Sequence, residues 1–173
     1  MTAPLHGLPR TAGTWLVPDS RTQVSFTVGN LGRRVHGSVP LVRGEVELDP
    51  AGAPVRASAE LALDRIDTGV AKRDLDLRKP RFLDTDRHPT MSWSAERFTP
   101  DGGGGWTAEG RLTLRGTSAP LAVTAAPDLE DGCLRVRATA LLDRRAVGIR
   151  APSFMIGRTV DIAVDAWLVP GPS

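Results

Sequence analysis

The chain has 173 residues, of which 40% are hydrophobic and 24% are charged, and its formal net charge is +2. This length suits one domain with a substantial core, and cations spread along the chain do not form the concentrated basic patch of a nucleic-acid-binding protein. The single cysteine, Cys133, excludes an internal disulfide, and no stretch reaches the roughly 18 continuous apolar residues of a membrane span.

The first residues of the chain are rich in proline and glycine. They predict a flexible N-terminal arm over residues 1–13, followed by a single domain over residues 14–170. The start of the chain has neither the positive charge nor the apolar segment of a secretory signal. We therefore expect a cytoplasmic protein.

Alternation of apolar and polar residues predicts strands from the start of the domain. A short strand covers residues 15–17, and a half-buried strand covers residues 24–28. Residues 35–49 have the pattern of one long strand, with bends or bulges at Gly37 and Pro40.

The same alternation continues to the end of the domain. Strands of even spacing joined by hairpin turns predict an all-β fold, an antiparallel barrel of roughly eight strands. The later strand segments are 55–63, 91–96, 106–115, 121–125, 134–142 and 160–166.

The barrel interior has two possible states. A barrel of about eight strands is just wide enough to be filled by side chains or to enclose one small ligand. Small residues at inward positions favour the hollow form, and a filled barrel that serves as a stress-response interaction module stays open as an alternative. These small residues are Ala57, Ala59, Ala108, Gly110, Ala138 and Ala140.

The alternation stops in the charged stretch 65–89. Asp67 and Thr68 are favourable helix N-caps, and Pro80 ends any helix before it. We therefore expect a short helical excursion around residues 67–79. It interrupts the sheet and covers one side or mouth of the barrel.

Apolar residues of this excursion predict how it is anchored. Ala71 and Leu75 are four residues apart and would share one helical face. Phe82 and Leu83 follow the helix and would pack on the barrel.

A cluster of polar residues precedes the next strand. Asp84, Asp86 and His88 could form an acid/base or metal site. The same residues are typical of a turn, because aspartate side chains bond to the backbone two residues on. We favour the turn, and so assign no catalytic residue, metal ligand or cofactor. An enzyme that uses these three residues on a small apolar substrate is the runner-up.

Short motifs occur in order along residues 15–167. Ile-Asp-Thr-Gly stands at 66–69, Arg-Asp at 73–74, His-Pro at 88–89 and Asp-Arg at 143–144. Individually these motifs are weak, but together they are fairly specific. The chain resembles the YceI-like family of lipid-binding barrels.

The resemblance implies a lipocalin-like extended barrel, often dimeric, without a metal or redox cofactor. It also implies that an elongated apolar cavity binds polyisoprenoid chains such as isoprenoid quinones or prenyl pyrophosphates. Two positions depart from the family pattern: Asp76 stands where histidine is usual, and Arg65 replaces a serine.

Candidate ligand contacts follow from strand parity and charge. Parity marks residues as inward but does not separate cavity lining from solid core. Cations near one mouth would suit an anionic head group, whereas a solvated basic helix edge is the plainer alternative. The cavity candidates are Phe26, Val28, Leu61, Leu63, Phe82, Trp93, Leu112, Leu114, Leu142, Phe154, Ile162 and Val164, and the head-group candidates are Lys72, Arg78, Lys79 and Arg81.

Overall fold

The computed structural model describes residues 13–18, 22–150 and 156–172. Most of the predicted arm therefore lies outside the described residues. The described part forms one antiparallel sheet of ten strands, a 3-10 turn at Leu63–Arg65 and the helix α1 at Ala71–Leu77. The strands are β1 Gly13–Leu16, β2 Gln23–Asn30, β3 Arg33–Ser38, β4 Leu41–Leu48, β5 Pro54–Ala62, β6 Thr90–Pro100, β7 Trp106–Leu114, β8 Thr117–Glu130, β9 Cys133–Asp143 and β10 Ile156–Pro170.

The ten described strands occupy eight positions around a closed barrel. The sheet runs β1-β4-β5-β6-β7-β8-β9-β10-β2-β3, and pairing of β1 with β10 closes the ring. Strands β1 and β2 share one position, because both pair with β10. Strands β3 and β4 share the next, because β3 pairs with β2 and β4 with β1. The predicted eight-stranded antiparallel barrel is confirmed.

The predicted long strand over residues 35–49 is in fact divided into β3 and β4. The backbone N–H of Val39 still donates to Val24 of β2, at 3.0 Å. The next residue, Pro40, has no N–H, and its carbonyl accepts from Ala62 of β5 at 2.9 Å. At this proline the chain therefore stops pairing with β2 and begins to pair with β5.

The helical excursion is shorter than the sequence predicts, and its N-cap is Val70 rather than Asp67 or Thr68. The N–H and hydroxyl of Thr68 donate to Oδ1 of Asp74, at 2.9 and 2.6 Å. Asp67 accepts from the N–H of Gly69 at 2.8 Å. Both candidate caps are therefore used in the turn before the helix.

The predicted inner face of α1 is wrong. Ala71 is exposed, and Leu75 is 60% exposed. Leu77 packs against the barrel core instead, and Leu83 is buried beside it. The buried side of the helix also carries Asp74, because the carboxylate of Asp74 holds the preceding turn.

The core is divided between the two ends of the barrel. We call the end that carries α1 and the turns at 31–32 and 115–116 the helix end, and the end with the turns at 49–53, 101–105 and 131–132 the far end. The larger hydrophobic cluster extends into the helix end and includes Leu63, Leu83, Leu114, Leu142 and Val147. A smaller cluster toward the far end consists of Trp15, Leu48, Leu134, Ala166 and Leu168, with partly buried valines around it.

Candidate ligand-binding cavity

An almost wholly apolar cavity of about 200 Å³ lies inside the barrel. It begins beside Leu61 and Leu112 and extends along the strands to Leu48, Trp106 and Leu168 near the far end. For comparison, an apolar cavity of about 150 Å³ in another protein stays dry and binds benzene. The space is therefore suited to a hydrocarbon group.

Small side chains create this space. Ala57, Ala59, Ala108, Ala138 and Ala140 all lie in the cavity wall. Because an alanine fills far less volume than a leucine, inward alanines on several strands leave room along the barrel axis. The hollow form favoured by the sequence agrees with this wall.

Gly110, the remaining small inward residue, has a different role. A Cβ added to Gly110 would lie 2.6 Å from Cζ2 of Trp93 and closer still to two other indole atoms. The indole can therefore cross strand β7, and its Nε1 donates to the carbonyl of Leu121 on β8 at 3.0 Å. This hydrogen bond holds Trp93 in the cavity wall.

A second tryptophan, Trp106, lies in the wall toward the far end. It begins β7 and pairs with Pro100 of β6 and Ala125 of β8. Its indole Nε1 is buried and has no hydrogen-bond partner among the described residues. The cavity wall therefore contains one hydrogen-bonded indole N–H and one unpaired indole N–H.

The predicted cavity residues fall into separate groups. Leu61, Trp93, Leu112, Ile162 and Val164 lie in the cavity wall. Phe154 lies outside the described residues. The predicted residues that pack in the larger core cluster without reaching the wall are Phe26, Leu63, Leu114 and Leu142.

The predicted cavity residues Phe82 and Val28 lie elsewhere in the barrel. Phe82 is half-buried near the helix end, under the guanidinium of Arg81, which lies 5.0 Å from the ring centroid. Val28 is half-buried between Val35 of β3 and Val160 of β10. Neither residue lines the described cavity.

Several wall residues were missed by the sequence-based selection. Trp106, Phe98, Leu121, Leu134 and Leu168 all line the cavity. Trp106 has the same strand parity as Leu112, so parity along β7 could have identified it. Parity did not show which inward residues pack in the core cluster at the helix end and which line the cavity that extends toward the far end.

The four head-group candidates lie in or directly after the helical excursion, and none lines the cavity. The ammonium of Lys79 lies 2.8 Å from Oδ1 of Asp76, and this hydrogen bond holds the pKa of Asp76 below its usual value. Arg78 donates to the carbonyl of Ile66 at 3.4 Å. Contact of Lys72, Arg78, Lys79 or Arg81 with a ligand stays a prediction.

The segment with Asp84, Asp86 and His88 forms a turn. The carbonyl of Asp84 accepts from the N–H groups of Arg87 and His88, at 3.1 and 2.9 Å. Asp84 is buried with φ +50°, a conformation that aspartate tolerates in turns. The described residues contain no group of three or more potential metal ligands.

A second pocket of about 590 Å³ lies at a seam in the barrel wall. Strand β8 pairs with β9 only from Thr124 onward, opposite Thr139. The pocket lies beside this divergence and shares Leu121, Thr139, Ala140 and Ile162 with the interior cavity. The two spaces are therefore adjacent in this part of the barrel wall.

None of the helices in the described part of the chain is long and apolar enough to cross a membrane.

Known structures of similar fold support the barrel assignment. BcnA from Burkholderia cenocepacia aligns with a TM-score of 0.78 at 16% identity, over 87% of this chain and 98% of that one. A polyisoprenoid binding domain from Saccharophagus degradans, described as implicated in plant cell wall breakdown, aligns with a TM-score of 0.68 at 12% identity, over 93% of this chain and all of the other. At these identities the likeness shows the fold alone.

Sequence comparison finds more closely related chains. A UPF0312 protein from Vibrio cholerae is 27% identical over 109 residues, which cover 61% of this chain and 57% of the relative. A UPF0312 protein from Ectopseudomonas mendocina is 28% identical over 104 residues. The chain thus matches little more than half the length of these relatives. The model of the YceI-like domain, in contrast, matches residues 15–168, nearly the whole described barrel, so the chain belongs to the YceI-like family.

Proposed function

We propose that this protein binds a polyisoprenoid or similar amphiphilic lipid inside the barrel and carries or sequesters it without transforming it. The observation that carries the proposal is the apolar cavity of about 200 Å³ in the barrel interior. The Saccharophagus neighbour described as a polyisoprenoid binding domain supports the same class of ligand.

Burial of a hydrocarbon chain supplies enough free energy for binding. Each buried CH₂ group contributes about 0.8 kcal/mol, so ten groups give roughly 8 kcal/mol before ordering costs, which corresponds to about micromolar affinity. A hydrocarbon chain in a membrane is already shielded from water. Its transfer from the membrane into the barrel therefore gains no free energy from burial. Selectivity then depends on cavity length, cavity shape and polar contacts.

The positions of the ionisable residues support binding rather than chemistry. Asp84 and His88 lie in the turn before β6, toward the helix end, and neither lines the cavity. The enzyme alternative requires these groups to act on a bound substrate. It predicts that His88→Ala abolishes turnover and leaves ligand binding intact.

Native mass spectrometry of the purified protein tests the proposal directly. We expect a lipid adduct, or uptake of an added prenyl chain at a ratio of one per barrel. The variant Ala138→Phe places an aromatic ring in the cavity and should abolish uptake. The matched control is Ala126→Phe, an exposed position on β8 that should bind as the parent does. Absence of both adduct and uptake in the parent protein contradicts the proposal.

The cellular location and oligomeric state stay predictions. We expect a cytoplasmic homodimer. Cell fractionation tests the location, and sedimentation analysis of the purified chain tests the dimer.

A further inference from the structure

We propose that the helix end of the barrel docks onto an anionic lipid surface, through an exposed leucine on the turn at 31–32 and through apolar and cationic residues of helix α1. The partner is the head-group layer of a membrane that contains acidic phospholipids. Docking goes beyond the proposed function, because it does not depend on whether the cavity holds a ligand.

The two ends of the described barrel carry opposite charge. The segments that join strands at the helix end contain ten lysines and arginines that are not buried, against four such aspartates. The three far-end turns contain one aspartate each and, within the described chain, no cation. An anionic surface therefore attracts the helix end and repels the far end. The helix-end segments are 31–32, 63–89, 115–116 and 144–150.

Ion pairs leave this difference in place. Near the far end, Arg56, Arg97 and Arg135 each lie within 4.0 Å of a carboxylate on a neighbouring strand. At the helix end, in contrast, Lys72 and Arg87 are exposed and form no ion pair with a described residue. The positive charge of these two side chains is therefore available to a partner.

Three hairpins with the same two-residue turn show the same polarity. The first turn residue has a φ of +50° at Leu31, +53° at Arg115 and +51° at Asp131, and a glycine with positive φ follows each. The two turns at the helix end thus carry a leucine and an arginine in this position. The equivalent turn at the far end carries an aspartate.

Leu31 is the least expected of these turn residues. A turn with positive φ at both central positions favours Asn, Asp or Gly, because other side chains are strained in that conformation. Leu31 adopts this conformation and is 65% exposed, so burial does not compensate for the strain. A leucine at the tip of a hairpin on the cationic end is suited to insert at the boundary between head groups and acyl chains.

Helix α1 repeats the combination of an apolar side chain and a cation. Leu75 is 60% exposed, and Lys72 lies three residues before it, so the two side chains are neighbours on the helix surface. Val70, at the N-cap, is 47% exposed. The apolar face that the sequence predicts as buried, with Ala71 and Leu75, is therefore turned outward and accessible to a membrane.

The exposed apolar residues select lipid over other anionic partners. Nucleic acid presents chiefly phosphates, which give Leu31 and Leu75 no hydrocarbon to contact. The acidic far end of a second copy would match the charge, but a head-to-tail contact of this kind does not close and would continue into chains. A membrane with acidic phospholipids presents negative charge and hydrocarbon in one surface.

Co-sedimentation with lipid vesicles tests the docking. Without added ligand, the parent protein should bind vesicles of equal parts phosphatidylglycerol and phosphatidylcholine, and added salt should weaken this binding. Vesicles of phosphatidylcholine alone should leave the protein in the supernatant, because they lack the negative charge.

Three variants test the residues that carry the proposal. Leu31→Asn should weaken binding to the acidic vesicles by about tenfold and leave the fold at least as stable, since asparagine suits the turn. Lys72→Gln should weaken binding by about fivefold. Asp131→Asn changes the equivalent turn position at the far end and is the matched control, which should bind as the parent does.

A fluorophore sensitive to polarity reports which end meets the membrane. Cys133 is partly exposed beside the far-end turn at 131–132, so a fluorophore attached there should keep its emission when acidic vesicles are added. A fluorophore on Ala71→Cys, in a Cys133→Ser background, should shift its emission to shorter wavelength, because Ala71 is exposed on α1.

The outcomes separate docking from ligand binding. Ala138→Phe should dock as the parent does, and Leu31→Asn should still take up a prenyl chain, so either proposal can fail alone. Equal binding to both kinds of vesicle, an emission shift at Cys133 alone, or full binding by both Leu31→Asn and Lys72→Gln would overturn the docking. Binding to duplex DNA, or assembly of the protein into chains, in place of binding to vesicles would overturn it as well.

Discussion

The indole of Trp93 occupies the space in which a side chain on Gly110 would lie. A Cβ at Gly110 would approach Cζ2 of Trp93 to 2.6 Å, whereas the glycine lets Trp93 reach the carbonyl of Leu121. This relationship fixes a large aromatic group across three strands, β6, β7 and β8. It also sets one wall of the cavity.

Gly110→Ala should therefore destabilise the fold. The added methyl group displaces the indole and its hydrogen bond, so we expect a loss of about 1–3 kcal/mol in the free energy of unfolding, measured in urea. Gly103→Ala is the control, because a Cβ there meets only Asp101 at 3.6 Å. That variant should stay within about 0.5 kcal/mol of the parent. Equal stability of the two variants would contradict the packing described for Trp93.

Arg144 connects the turn after β9 to the start of β10. It is 2% exposed, and its guanidinium donates to the carbonyls of Ile149, Ile156 and Gly157 at 2.9–3.0 Å. Burial lowers the pKa of Arg144. Arg144→Met removes all three of these hydrogen bonds.

We expect Arg144→Met to lose at least about 2 kcal/mol in the free energy of unfolding, because each unsatisfied buried group costs about 1–3 kcal/mol. The rate of backbone hydrogen exchange should rise first at residues 144–150 and 156–158, which the Arg144 side chain connects. Arg111→Met, at an exposed position on β7, is the control and should change stability little. A stability unchanged by Arg144→Met would refute its role.

Asp74 holds the turn that leads into α1. Its Oδ1 accepts two hydrogen bonds from Thr68, whose hydroxyl oxygen accepts in turn from Nε of Arg73 at 2.8 Å. Asp74→Ala should lose about 1.5–3 kcal/mol, the usual range for hydrogen bonds to a charged group. Asp76→Ala, on the same helix, removes only a surface pair with Lys79 and should change stability little.

Limited proteolysis provides a second measurement on Asp74→Ala and Asp76→Ala. Cleavage within residues 63–89 should accelerate in Asp74→Ala and not in Asp76→Ala. The affinity for a prenyl ketone should be unaffected in both, because the cavity extends away from α1 toward the far end. Loss of affinity in Asp76→Ala would instead indicate that the helix end contacts the ligand.

The pair of Arg135 and Asp165 makes stability depend on pH. Nε and Nη2 of Arg135 donate to the two carboxylate oxygens of Asp165, at 2.9 and 2.8 Å, and these hydrogen bonds hold the pKa of Asp165 below its usual value. The stabilisation is therefore complete above the unfolded pKa of about 3.9 and is lost as the pH falls through the lower folded pKa.

Asp165→Asn should accordingly flatten the acid limb of the stability curve. The parent and the variant should differ most near neutral pH and converge as the pH falls below about 4. Chemical denaturation at a series of pH values measures the difference. A constant difference at all pH values would show that the carboxylate charge is not involved.

Ligand binding should raise the thermal stability of the parent protein. A prenyl ketone at about 100 times its dissociation constant stabilises the folded state by about 2.7 kcal/mol. For a chain of this size that corresponds to a rise in Tm of roughly 5–10 °C in a scanning-calorimetry experiment. Ala138→Phe, which fills the cavity, should show no rise. A parent Tm that does not respond would contradict binding to the folded barrel.

The sequence was most informative where strands have one buried face. Alternation along β5 and β7 marked Leu61 and Leu112 as inward residues, and both line the cavity. The alternation also predicted a barrel with a helical interruption. It failed where a side chain has competing local partners. Thr68 is a good helix N-cap by type, but here its hydroxyl donates to Asp74 and the N-cap of the helix is Val70, two residues later.

The position of the cavity could not be read from periodicity. Leu114 and Leu112 share one face of β7, yet Leu112 lines the cavity, whereas Leu114 packs in the core cluster at the helix end and does not line it. The difference depends on what the 63–89 segment packs against, which is a long-range property. The unpaired N–H of Trp106 is likewise invisible until the strand partners of β7 are known.

A crystal structure of the protein with a prenyl ketone tests the central claim most directly. The account predicts continuous electron density for the prenyl chain along the cavity between Ala108 and Ala138. Density confined to the barrel exterior, or side chains that meet across the barrel axis and leave no room for the chain, would contradict it.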